Sequence, residues 1–388
     1  MKRAAWVLAL LFFAGTLVFS FDFGLIVSAS PEYNQDDFEF DGSLVPWVSA
    51  LIGEKAELFV SGAFTMEYDG EETDFYAEVG RTELSYRAAE NVFLQFGRIS
   101  YQDISGLTAS GLFDGVKGGI SLGKMYLNLG AFYTGLLYKK TAEIIVSGLD
   151  AMDYADEDNY FAPKRLIASA DISFPSLFSG LSLGILGQFD LRDENRLHSQ
   201  YFLGRFRFNP RPLLTVDLAG ALSLAEPEDE DLQFGAAFGG DLIISLPTAV
   251  QDRLTAGLTW SSGAKDDDSL AYLPISTISR GSILSAKLTG LMAAKAGYTV
   301  RLHETLSLDA QAMYFLRTDL RTYSDADLDP SSDSYALGGE LYTSAIWAPL
   351  SDLTISFGGG AFFPSLGKAY ASDAPVQWKL AMTLILSL

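Results

Sequence analysis

The sequence predicts an all-β fold, a transmembrane antiparallel up-and-down β-barrel of about 18 strands, with 16 strands as the alternative. Three observations support this prediction. Apolar and polar residues alternate with a period of two over segments longer than the usual ~5–6 residues of a soluble strand. Short turns alternate with longer polar connections along the chain. The N-terminus has the features of an export signal.

The first 20 residues are predicted to be a signal peptide. Lys2 and Arg3 form a positive start, residues 4–13 are apolar, and residues 18–20 lead to a cleavage site. Strand-like alternation begins directly afterwards at residue 21. An uncleaved helical anchor is the alternative. The domain prediction is therefore a signal peptide over 1–20 and a single barrel domain over 21–388.

The composition argues against a division into soluble domains. The 388 residues are 48% hydrophobic and include 36 Gly, and no linker-like stretch interrupts them. Beyond the N-terminus, no run approaches the ~20 apolar residues of a spanning helix. The sequence contains no Cys, which excludes a lipoprotein anchor and a disulfide scaffold. The net charge of −22 excludes nucleic acid as a partner, because binding it requires a basic face.

Turn residues divide the chain into strands. Short turns are predicted at 53–54, 88–90, 123–124, 175–179, 209–212, 247–252, 303–304 and 349–351, and most of them contain Gly, Pro or Asn. Longer polar connections lie at 32–41, 69–74, 100–114, 141–163, 193–196, 226–231, 263–280, 319–333 and 364–374. In an outer-membrane barrel the short set faces the periplasm and the long set faces outside. Eight short turns and nine long connections give an even number of strands, with both ends of the barrel chain on the periplasmic side.

The hairpin at residues 334–363 shows the two strand faces. Leu337 and Leu341 fall on one face and Glu340 and Ser344 on the other, with a turn at 348–351. Segments 165–174 and 213–224 separate polar from apolar residues in the same way. A helix would scatter these sets around its axis. Rows of large apolar side chains would promote aggregation of a soluble sheet, whereas facing lipid they need no other partner.

Most acidic residues fall in the long connections, which we interpret as solvated extracellular loops. Bridging of divalent ions to surface lipid or ligand is the alternative. The spacing of Asp325, Asp327 and Asp329 is similar to that of a calcium loop, but Pro330 replaces its Gly and Ala336 its Glu. We therefore predict no metal site.

The polar strand face carries charges of both signs with a slight basic excess. Arg or Lys facing lipid at the midplane would cost ~2–4 kcal/mol each, so this face should line a wide, water-filled lumen. The predicted lumen or constriction residues are Arg98, Tyr101, Asp103, Asp114, Arg165, Asp171, Arg205, Arg207, Asp217, Asp241, Lys287, Asp309, Arg317 and Glu340. Structural pairing between neighbouring strands is the alternative role for individual charges.

The connection at 100–114 is less acidic than the others and partly apolar. We expect it to fold into the lumen and narrow it, with Arg98, Tyr101, Asp103 and Asp114 near the eyelet. A compact surface loop is the alternative.

Two passages resemble alginate-export-type porins. One is Gly97-Arg98 at a strand end, followed by residues 112–116 (LFDGV) opening the next strand. The other is residues 338–364, with GGELY near the start and FGGGAFFP at the end. The resemblance implies an 18-stranded outer-membrane channel for polysaccharide or small solutes. A channel for an anionic polysaccharide should be lined mainly by basic residues, and in the predicted lumen basic residues do not dominate.

These observations predict a porin for small hydrophilic solutes, saccharides included, in the outer membrane of a diderm bacterium. A surface-exposed structural or adhesive protein acting through its acidic loops is the alternative. We predict no enzyme and no cofactor, because His198 and His303 are the only histidines and neither has a recognisable catalytic signature nearby. The expected partners are outer-membrane lipid, the barrel assembly machinery and small hydrophilic solutes.

Overall fold

The computed structural model describes residues 19–35, 37–175, 180–228, 231–264, 271–325 and 327–388. Most of the predicted signal peptide lies outside these residues. The strands are β1 (Phe19–Asn34), β2 (Phe38–Ile52), β3 (Ala56–Tyr68), β4 (Thr73–Ala89), β5 (Val92–Gln102), β6 (Ser110–Leu122), β7 (Met125–Tyr133), β8 (Arg165–Phe174), β9 (Leu181–Asp190), β10 (Leu197–Arg211), β11 (Leu214–Pro227), β12 (Gln233–Ser245), β13 (Arg253–Ser261), β14 (Ser279–Arg280), β15 (Ala286–Lys287), β16 (Leu291–His303), β17 (Leu306–Arg317), β18 (Ala336–Trp347), β19 (Leu353–Phe363) and β20 (Gln377–Ser387). Two short helices are α1 (Lys139–Ala142) and α2 (Gly148–Ala155).

Eighteen of these strands form one closed antiparallel sheet, and β14 and β15 form a separate short ladder. Each barrel strand pairs with its neighbours along the chain, and β1 closes the ring by pairing with both β2 and β20. The closure is reinforced by hydrogen bonds of 3.0 and 2.9 Å between the backbones of Leu25 and Leu388. The predicted fold class and strand number are confirmed.

The two ends of the barrel differ as the turn chemistry predicts. Eight short connections lie at one end, called the turn end, and nine connections lie at the other, called the loop end. The loops are numbered 1 to 9 in chain order, and loops 3, 4 and 7 comprise residues 103–109, 134–164 and 262–290. Loop 1 is shorter than the predicted 32–41, because β1 and β2 continue until only 35–37 connect them. Its acidic residue Glu32 faces inward, where Lys379 Nζ lies 2.7 Å from its carboxylate.

The outer surface of the barrel is apolar. Large side chains such as Phe75, Phe234 and Leu222 are 75%, 71% and 60% exposed. Apolar patches of this extent are incompatible with water on all sides and match the lipid-facing band of a membrane barrel. No helix in the described ranges is long and apolar enough to cross a membrane.

The loop-end half of the interior is filled by protein. Loops 3, 4 and 7 fold inward and form an apolar core with inward-facing strand residues. Ile99, Phe132, Ile167 and Leu186 of the wall are at most 1% exposed. The lumen is therefore narrower than the sequence predicts. Period-two alternation identifies the inward face but not the loops that will cover it.

Leu337 departs from its predicted face. Gly338 has a φ of 153°, and the pairing of β17 with β18 shifts register between Phe315 and Leu316. The bulge turns Leu337 into a second apolar core at the loop end, where it is fully buried with Phe315 and Phe362.

Candidate functional site in the barrel lumen

A polar chamber of about 310 Å³ lies in the lumen between the wall and the inward tips of loops 3 and 7. Strands β10 to β13, β16 and β17 form its wall. Its polar lining includes Ser105, Arg205, Asp217, Asp241, Thr259, Arg280, Lys295 and Gln311. Gly239 of the wall, which faces inward toward Leu107 of loop 3, leaves room for it.

Two ion pairs line the wall of the chamber. Arg205 donates from Nε and Nη2 to the two carboxylate oxygens of Asp217 at 2.9 and 2.6 Å. Lys295 Nζ lies 2.9 Å from Asp241 Oδ1. Asp217 and Asp241 are directly opposite each other in the β11–β12 register, so each carboxylate carries its own compensating cation. All four side chains keep some exposure to the lumen.

Arg280 brings a further positive charge to the chamber from the tip of loop 7. Its Nη1 donates a long hydrogen bond to the carbonyl oxygen of Ser279 at 3.4 Å, and its buried Nε has no partner among the described residues. Within the described residues, no carboxylate oxygen lies within 4.0 Å of its guanidinium. Burial lowers the pKa of Arg280, while the charge of Asp241 acts in the opposite direction. Among the described residues, the chamber therefore contains one cation without a carboxylate in direct contact.

Glu340 holds the tip of loop 7 in place. Its carboxylate accepts the backbone N–H groups of residues 282, 283 and 284 at 2.7, 3.0 and 3.1 Å. The residue is only 2% exposed. The sequence predicts Glu340 as a lumen-lining residue, but it serves as an anchor because a backbone turn from another part of the chain covers it.

Loop 3 lies inside the lumen, where we expect it from the sequence, and Asp103 organises it. The Asp103 carboxylate accepts the backbone N–H groups of residues 105, 106, 108 and 109 at 2.8 to 3.0 Å. Loop 7 packs on it, with Ile275 N donating to the Thr108 carbonyl at 2.7 Å and hydroxyls of Thr108 and Tyr272 2.8 Å apart. Asp103 is 3% exposed, so its contribution to the constriction is indirect.

Arg98 lies at a seam in the barrel wall and not in the chamber. The β5–β6 hairpin bends inward near Gly97, whose φ is 108°, and β4–β5 pairing ends at Thr82–Arg98. Arg98 binds both Asp114 oxygens at 2.9 and 3.0 Å and donates to the Val79 and Leu136 carbonyls at 2.6 and 2.9 Å. It thereby joins β4, β6 and loop 4.

Other predicted lumen residues also support loops. Tyr101 packs against two phenylalanine rings in the core and is 6% exposed. Arg165 is fully buried between Asp150 of α2 and Asp190 of β9, at 2.7 and 3.2 Å. Arg317 donates to two carbonyl oxygens of loop 8, residues 318–335, at 2.8 and 2.7 Å.

The remaining predicted residues are dispersed along the lumen. Asp171 accepts a hydrogen bond from Asn128 at 2.7 Å, and Asp309 accepts one from Thr299 at 2.6 Å. Arg207 is exposed near the turn end, and Lys287 is exposed in loop 7.

The structure thus brings Arg205, Asp217 and Asp241 together in one chamber, while most of the other predicted residues lie elsewhere. Sequence reasoning did not select Arg280, because it lies in a connection that was expected outside the barrel. Lys295 lies on a polar strand face, and that signal could have identified it. His198 and His303 lie at opposite ends of the barrel, on β10 and β16.

No protein-family model matches the chain, and no curated protein matches it. Solved structures do resemble it, among them three from Pseudomonas aeruginosa. OccK2 (OpdF) has a TM-score of 0.67 and 13% identity over 95% of this chain and 98% of that chain. OccK3 (OpdO) has a TM-score of 0.63 and 13% identity over 95% and 96%. The outer membrane protein OprD has a TM-score of 0.61 and 11% identity over 96% and 94%. The chain therefore has the fold of the large 18-stranded outer-membrane porins.

Proposed function

We propose that this protein is an outer-membrane channel through which small hydrophilic solutes diffuse. The observation that carries the proposal is the charged chamber inside a closed barrel with an apolar outer surface. Loops 3 and 7 narrow the passage there, and fixed charges face it. Such a constriction can select solutes by size and charge.

The proposal includes export to the outer membrane of a diderm bacterium, with removal of residues 1–20 and assembly by the barrel assembly machinery. The apolar exterior supports a lipid partner. Sequencing the N-terminus of the protein in an outer-membrane fraction tests the cleavage. A mature chain that retains residues 2–18 would contradict it.

The solutes that fit best are neutral or acidic. Cations line one side of the lumen from the chamber to the turn end, where Arg207, Arg253 and Arg301 are exposed on inward-facing positions. OccK2 (OpdF), which shares the fold, has been solved in complex with glucuronate. A sugar acid is therefore a suitable test solute for this chain. An alginate-export-type channel is a narrower form of the same proposal, and it would require strong anion selectivity.

Single-channel recording tests the proposal. Purified full-length protein in planar bilayers should give stepwise conductance, and added glucuronate should interrupt the current. The reversal potential under a potassium chloride gradient gives the ion preference. Bilayers that stay silent despite correctly folded protein would contradict a channel function and would favour a structural or adhesive role.

A further inference from the structure

We infer that Tyr342 of β18 forms a stacking platform for a sugar ring on the lumen wall. This inference rests on the proposed channel function, for which it identifies saccharides as a class of solute. A pyranose ring presents a face of C–H groups, which packs on an aromatic ring, and a rim of hydroxyl groups that need polar partners. The surroundings of Tyr342 provide both kinds of contact.

The Tyr342 ring lies over two glycines of the neighbouring strand β19. A Cβ atom on Gly358 would lie 2.0 Å from Tyr342 Oη and 2.8 Å from Cζ. A Cβ atom on Gly360 would lie 2.2 Å from the Leu341 carbonyl oxygen, 2.8 Å from Tyr342 Cα and 2.9 Å from Cδ2. A larger residue at Gly358 would displace the ring, and one at Gly360 would displace the β18 backbone beneath it. The two glycines therefore let the tyrosine lie flat along the wall.

The ring remains available to a solute. Tyr342 is partly exposed, and no other aromatic ring among residues with described positions stacks on it. Its hydroxyl makes no hydrogen bond in the described part of the chain. Two other inward-facing tyrosines, Tyr201 and Tyr76, differ, because their hydroxyl groups hold the fold together. Tyr201 donates to the Leu273 carbonyl of loop 7, and Tyr76 donates to Glu67.

Polar groups border the platform on both sides. Gln311, which lines the chamber, pairs with Tyr342 in the β17–β18 register. On the other side, Gly360 pairs with Lys379, whose ammonium group is 2.7 Å from the Glu32 carboxylate. An amide, an ammonium group and a carboxylate can donate to and accept from sugar hydroxyls.

The position of Tyr342 places it on the path out of the chamber. It follows Glu340 by two residues on β18, which corresponds to about 7 Å along the strand toward the turn end. Glu340 fixes the loop 7 tip beside the chamber. A solute leaving the chamber toward the turn end would pass the tyrosine next.

Current interruption by a neutral sugar tests the inference. Maltotriose is added to single channels of the wild type, Tyr342→Phe, Tyr342→Ala and Gly358→Ala, and sorbitol is the linear control. We expect maltotriose, but not sorbitol, to interrupt the wild-type current. Tyr342→Phe should retain most of the apparent affinity, whereas Tyr342→Ala and Gly358→Ala should lose about three- to tenfold.

Tyr126→Ala is the matched control variant. Tyr126 pairs with Ser121 and Ser173 on the inward face near the turn end and is 45% exposed, and it lies across the lumen on β7. Its removal should leave the affinity unchanged.

Three results would overturn the inference. Conducting wild-type channels that maltotriose does not interrupt would refute it alone and leave the channel function intact. The same holds if Tyr342→Ala binds maltotriose as well as the wild type. Silent bilayers would instead overturn the channel function and this inference with it.

Discussion

Removing the Glu340 carboxylate should release the tip of loop 7 and widen the chamber. The carboxylate accepts three backbone N–H groups, and hydrogen bonds to a charged group contribute about 1.5–3 kcal/mol each. In Glu340→Gln, one oxygen remains as an acceptor, but the new amide N–H₂ faces backbone donors. We therefore expect Gln to weaken the anchor by about 3 kcal/mol and Ala to weaken it further.

Weakening the anchor by about 3 kcal/mol raises the population of molecules with a released loop 7 tip more than 100-fold, because each 1.4 kcal/mol is a factor of ten in the equilibrium constant. In planar bilayers, Glu340→Gln should show frequent steps to a higher conductance, and Glu340→Ala should stay mainly in that state. Arg317→Ala is the control, since it also breaks two bonds from a buried side chain to loop carbonyls, but in loop 8 away from the chamber. It should not change the conductance. Folded Glu340→Ala channels with wild-type conductance and noise would refute the reasoning.

Three further predictions concern charge and pH. Arg280→Gln removes the cation that has no carboxylate partner among the described residues, so the reversal potential should shift toward cation selectivity. An unchanged reversal potential would contradict the assignment of Arg280 to the pathway. Arg98→Ala leaves the largely buried Asp114 carboxylate unpaired and should destabilise the seam by about 3–5 kcal/mol. Loop 4 should then be cleaved faster by protease, whereas replacing the exposed Arg207 with Ala should leave the cleavage rate at the wild-type value. The backbone N–H groups of residues 72 and 71 lower the pKa of Asp69. These hydrogen bonds therefore stabilise the turn fully above the usual Asp pKa near 4, and the stabilisation is lost as the pH falls through the lowered pKa. Amide exchange in this turn, corrected for intrinsic rates, should become faster toward about pH 3, and a flat profile would contradict the prediction.

The sequence alone determined the barrel, its 18 strands and its two unlike ends. These features depend on local rules: alternation separates inward from outward residues, and Gly, Pro and Asn mark the turns. The turn at 348–351 and the inward positions of Asp171 and Asp217 follow from such rules. Even loop 3 could be expected inside, because it is less acidic than its neighbours.

Only the tertiary structure decided which charges face the passage. Alternation predicts Arg165 and Glu340 as inward residues, but buried ion pairs and a covering backbone turn make them loop anchors. Arg280 enters the chamber only because loop 7 packs on loop 3, through contacts such as Thr108 with Tyr272. Those two residues are 164 positions apart in the chain. A pairing over that distance depends on the complementary shapes of two folded loops, and no local pattern encodes it.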